Sequence, residues 1–93
     1  SSFSFSLPLQ VGVVGLGQRG TLYARELARG AVPGAALAAV CDADPEALRA
    51  FRQSPCFGSW AELLAAGKAE ALVVATPPTE HVDLTLKALA AGL

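Results

Sequence analysis

A run of β-branched residues that stops at a cluster of glycines leaves this chain few folds to choose from. Gln10-Val11-Gly12-Val13-Val14 is apolar almost throughout, as strands buried on both faces of a parallel sheet are, and it gives way to Gly15-Leu16-Gly17-Gln18-Arg19-Gly20. Residues Gln18 to Arg29 then hold Leu, Tyr, Ala, Arg and Glu without a proline, and Gly30 follows as a residue that tolerates the left-handed close of a helix. Strand, glycine turn and helix in that order predict a β-α unit whose helix begins at the turn.

The alternation continues along the chain. Val32-Pro33-Gly34 is a turn, and Ala36 to Cys41 is a second apolar run, weaker in strand propensity because alanine dominates it. Asp44-Pro45-Glu46 sets an N-cap acceptor, a proline at N1 and an acid in the first turn, which predicts a helix through Arg52. Cys56-Phe57 allows a very short third strand. Ser59-Trp60-Ala61-Glu62 fits a capping box and predicts a helix to Gly67. Ala71 to Ala75 is the clearest buried strand, and after Thr76-Pro77-Pro78 the spacing of Val82, Leu86, Leu89 and Leu93 predicts a last helix. Four β-α units in succession imply an α/β, Rossmann-type doubly wound parallel sheet in three αβα layers, built with right-handed crossovers. Residues 1–8 read as a leader or disordered segment and residues 9–93 as one dinucleotide-binding domain, in part.

Composition narrows the function. With 93 residues, 53% hydrophobic and 16% charged, the chain can bury a core but is short for a complete enzyme. A net charge of -1 and scattered basic residues offer no stripe for a nucleic-acid backbone. The serine-rich opening lacks the features of a secretory signal, no apolar run reaches the ~18 residues of a membrane span, and a cytoplasmic protein is expected. Cys41 and Cys56 lack metal-ligand spacing and read as packed thiols, while Phe51, Phe57 and Trp60 read as core rather than as a binding platform.

The glycines carry the chemistry. In G-x-G-x-x-G the first glycine makes the tight turn, the second lets a pyrophosphate approach the backbone, and the third lets helix and strand pack closely. Gly15, Leu16, Gly17, Gln18, Arg19 and Gly20 are therefore the candidate phosphate loop, with the helix N–H groups and dipole facing the anion. Asp42 ends the next strand twenty-two residues past Gly20, near the spacing of an acid that binds a ribose diol. A carboxylate there accepts from both hydroxyls and repels a 2′-phosphate, so NAD is expected over NADP. Asp44 is read as a helix cap. A methyltransferase using the same loop, and a non-catalytic nucleotide sensor, are the competing readings.

Val11-Gly12-Val13-Val14-Gly15-Leu16-Gly17, Val40-Cys41-Asp42 and Val73-Val74-Ala75-Thr76-Pro77-Pro78-Thr79-Glu80-His81 resemble the glucose-fructose oxidoreductase / inositol dehydrogenase family, Gfo/Idh/MocA. The resemblance covers nearly everything after Pro8 and rests mainly on A-T-P-x-x-x-H. It implies that Thr76, Pro77 and His81 border the dinucleotide, although a rigid helix entry would explain Thr76 and Pro77 equally well, and His81 has no evident catalytic partner. It also implies a homo-oligomeric NAD-dependent oxidoreductase that transfers a hydride to or from a hydroxyl carbon of a sugar or polyol. Members continue past this point with a Glu-Lys-Pro motif and a substrate domain, so no catalytic residue is assigned here. The 93 residues alone are expected to be inactive and to expose the fourth strand as a sheet edge.

Overall fold

The computed structural model describes residues 8–75 of the chain. Four strands, β1 (Leu9–Val14), β2 (Ala35–Cys41), β3 (Cys56–Phe57) and β4 (Ala71–Val74), alternate with helices α1 (Gln18–Ala28), α2 (Pro45–Leu48) and α3 (Trp60–Ala66). All pairings are parallel, and the strands lie in the order β3-β2-β1-β4. This is the doubly wound α/β arrangement expected from the alternation. The last expected helix, with its Val82-Leu86-Leu89-Leu93 stripe, lies outside the described residues.

Each face of the sheet has its own core. Val11, Val13 and Val40 meet Ala24 and Leu27 of α1 on one face, together with Leu16 and Phe51. Val14, Ala39 and Cys41 meet Leu63 of α3 on the other. Helices on opposite faces give the three layers, as right-handed crossovers require once the chain passes from β3 to β4.

Strict alternation along β2 would put Leu37 with Ala39 and Cys41. The pairing instead shifts between Val11 and Gly12, so that Val11 faces Leu37 and Gly12 faces Ala39, leaving Ala38 as an extra residue. This bulge lets both Leu37 and Val40 pack on the α1 face, while Ala39 and Cys41 keep to the other.

The helix ends follow local chemistry. Gly30 N–H donates to the Leu27 carbonyl and Ala31 N–H to the Glu26 carbonyl, the paired bonds of a Schellman close. Asp44 caps α2 by accepting from Glu46 N–H at 3.0 Å, and the Ser59 hydroxyl caps α3 by accepting from Glu62 N–H at 3.3 Å. The second helix is shorter than expected. It has one α turn and then tightens into a 3-10 turn, Arg49–Phe51, which delivers Phe51 to the α1-side core. Among the described residues no helix is long and apolar enough to cross a membrane.

Candidate functional site

The site forms where β1 and β2 end beside the start of α1. Gly15 turns the chain out of β1 with φ of 91°, a conformation that side-chain-bearing residues rarely adopt. Its N–H donates to the Cys41 carbonyl at 2.8 Å, which ties the turn to the end of β2. Two residues on, Gly17 is the N-cap of α1 and has no side chain with which to cap it; no acid occupies the first turn either. The opening N–H groups of the helix therefore keep their capacity for an anion.

The three glycines do different work, and the geometry separates them. A Cβ on Gly20 would overlap the Gly15 carbonyl oxygen, so this position sets how closely α1 approaches the strand end. A Cβ on Gly17 would meet nothing within 4 Å. The second glycine thus faces open space, in a cleft of about 470 Å³ that it shares with Gly15, Leu16, Asp42, Ser59 and Trp60. Gln18 and Arg19 are exposed beside it, whereas the Leu16 side chain is buried in the core.

Asp42 is more than an acid at a strand end. One carboxylate oxygen accepts from Leu16 N–H at 2.7 Å and the other from Asp44 N–H at 2.8 Å. The side chain thereby fixes the glycine turn on one side and the entry to α2 on the other. Each carboxylate oxygen has a second acceptor site, so two remain for the hydroxyls of a ribose. Its backbone N–H donates to the Phe57 carbonyl at 3.1 Å, bringing β3 into the same frame.

Next to it, Cys41 is buried, and burial first, then the nearby Asp42 and Glu62 carboxylates, push its thiol from 9.0 up to about 11. It is a packed neutral thiol, as read from the sequence. Cys56 is exposed. Its Sγ lies 3.3 Å from the carbonyls of Phe51 and Ser54.

Of the residues singled out from the sequence, Gly15, Leu16, Gly17 and Asp42 line one cleft, whereas Gln18 and Arg19 are exposed in the first turn of α1 outside that lining and Gly20 packs against the Gly15 carbonyl. Thr76, Pro77 and His81 lie outside the described residues. A second cleft of about 520 Å³ between α1 and β4 is lined by Val11, Tyr23, Leu27 and Val73, and among the described residues its one charged group is Glu26, which does not draw an anion. Sequence reasoning missed the loop after β3. Gly58, Ser59 and Trp60 line the glycine cleft, and the rule that open α/β sheets bind ligands beyond the carboxyl ends of their strands was the signal that could have found them.

The free N–H groups of α1 and the open space over Gly17 fit a dinucleotide. Comparison with known proteins identifies the family. The family model described as an oxidoreductase family with an NAD-binding Rossmann fold, GFO_IDH_MocA, matches residues 9–93. The chain is 36% identical over 88 residues to an inositol 2-dehydrogenase of Leifsonia xyli subsp. xyli, a stretch that covers 91% of this chain and 26% of that protein. It is 33% identical to the WlbA dehydrogenase of Bordetella pertussis, solved with NADH and UDP-GlcNAcA, with a TM-score of 0.79 over 90% of this chain and 26% of that one. A scyllo-inositol dehydrogenase from Lactobacillus casei, solved with NAD(H) and scyllo-inositol, shares the fold at a TM-score of 0.83 and 24% identity, over 90% of this chain and 26% of that one. The chain thus spans about a quarter of the length of these relatives.

Proposed function

The chain belongs to the Gfo/Idh/MocA oxidoreductase family, whose fold binds NAD, and on that basis we propose that it is the cofactor-holding part of an enzyme acting on a polyol or sugar. The reaction is a hydride transfer between NAD and a hydroxyl-bearing carbon. When bound, the nicotinamide supplies or takes up the hydride. This chain's residues hold and orient. The first turn of α1 and the open backbone at Gly17 receive the pyrophosphate, and Asp42 accepts from the adenosine ribose. By the family resemblance Thr76, Pro77 and His81, which lie outside the described residues, border the dinucleotide, and the substrate is bound by residues outside the matched segment. The polyol substrate class is supported by the inositol 2-dehydrogenase relative.

The observation that carries the proposal is the placement of Asp42 against the glycine turn, bonded to Leu16 N–H at 2.7 Å. A 2′-phosphate at that ribose would stand beside a fixed carboxylate. NAD is expected to bind at least about tenfold more tightly than NADP, a difference on the order of 1.4 kcal/mol. Titration calorimetry with both cofactors tests it, and equal affinities would remove Asp42 from the site. Asp42→Ser should weaken NAD and narrow the preference without creating a strong NADP site, because it also releases the Leu16 N–H.

A further inference from the structure

The four strand ends lie side by side in the order β3, β2, β1, β4. With neighbouring strands about 4.8 Å apart, the cleft that runs from Ala75 past Gly17 and Asp42 to Trp60 spans roughly 14 Å. Phosphates held at the N-terminus of α1 would lie beyond β1 and a ribose at Asp42 beyond β2. Continued in the same direction, the adenine of a dinucleotide would reach the end of β3.

β3 runs out into Gly58, Ser59 and Trp60. A Cβ on Gly58 would meet nothing within 4 Å, so the space over that backbone is open to a flat ring. Trp60 is the first residue of α3 and is half-buried. It packs against the core cluster of Val14, Ala39, Cys41 and Leu63 and also lines the cleft. Its backbone is fixed by the helix and its ring by the core, so little rotamer freedom is left to lose when a ligand arrives.

We propose that Trp60 is a positioning residue for the cofactor, its indole forming the wall against which the adenine of bound NAD lies. The assignment rests on the NAD-binding reading of the glycine turn and adds to it a residue that the sequence presented as core. An aromatic wall holds a base by its π-face, which every purine offers, and sets the base end of the cofactor while α1 sets the phosphates.

Trp60 is the one tryptophan in the sequence, and it reports on its own surroundings. The full chain is titrated with ADP-ribose, which carries the adenosine half, and with nicotinamide mononucleotide, which does not. ADP-ribose should change the indole emission along the same curve that calorimetry gives, and the change should vanish in Trp60→Phe. Trp60→Leu should weaken ADP-ribose by about tenfold, Trp60→Phe should restore it to within about threefold, and neither should alter nicotinamide mononucleotide. Wild-type affinity for ADP-ribose in Trp60→Leu overturns the wall. Should that variant fail to fold, saturation by ADP-ribose without any change in wild-type emission overturns it instead. A wild-type protein that binds neither NAD nor ADP-ribose overturns the dinucleotide reading itself, a different outcome from one that binds both and ignores position 60.

Discussion

Asp42 and Gly17 show how single residues divide the work of the site. Gly17 looks onto open space, so a branched side chain there costs the fold little and costs the ligand its seat. Gly17→Val is expected to abolish NAD binding in calorimetry while leaving the circular dichroism spectrum that of a folded protein. Normal NAD binding by that variant would reduce the motif to a turn. Asp42 was legible as an acid at a strand end because spacing alone places it. Its bonds to Leu16 and Asp44 were not, since they depend on how two loops distant in sequence meet. Trp60 was legible as an aromatic that packs, and packing is only half of what it does. Cys41 gives a pH prediction. Its folded pKa of about 11 stands above the ordinary 9.0, so the unfolded chain gives up this proton first as pH rises. Stability is whole below pH 9 and falls between 9 and 11, by on the order of 2 kcal/mol for this group. Urea unfolding at pH 8 and pH 11 should show that loss in the wild type and a smaller one in Cys41→Ala.

At the scale of elements, the helices and strands that announced themselves were those with a local cause. The β-branched run of β1, the Asp44-Pro45 start of α2 and the Ser59 cap of α3 all stand where their chemistry put them. The bulge at Ala38 and the early end of α2 did not announce themselves. Both serve tertiary packing, the one by turning Leu37 and Val40 to the same face and the other by sending Phe51 into the core. Asp44 tests the separation of local from functional roles. Its carboxylate bonds Glu46 N–H, and it is its backbone N–H that meets Asp42. Asp44→Ala should therefore lower stability by about 1 kcal/mol in urea unfolding and leave the NAD dissociation constant within a factor of about two. A large loss of NAD affinity would give Asp44 a part in the site.

At the scale of the whole molecule, the sheet order governs behaviour. β4 has β1 on one side and, among the described residues, no strand on the other. Ala71-Leu72-Val73-Val74 has no charge or proline to keep another strand away. Prepared as these 93 residues alone, the chain is expected to self-associate at high micromolar concentration, and light scattering after size exclusion would reveal it; a lasting monomer would contradict the argument.

The same order bears on how the protein is made. β1 is synthesised first and sits between two partners that come later, β2 at Ala35–Cys41 and β4 at Ala71–Val74. Once β2 has emerged from the ribosome, its pairing with β1 can form at once. The opposite side of β1 must wait until Val74, 33 residues later, which is roughly 2–7 s at ordinary elongation rates. During that interval Val11, Val13 and Val14 present an unpaired apolar edge to solvent, a target for chaperones or for the neighbouring nascent chain. A slow stretch of codons after β4, where the edge has just been covered, would be harmless, whereas one between β2 and β4 would prolong the exposure.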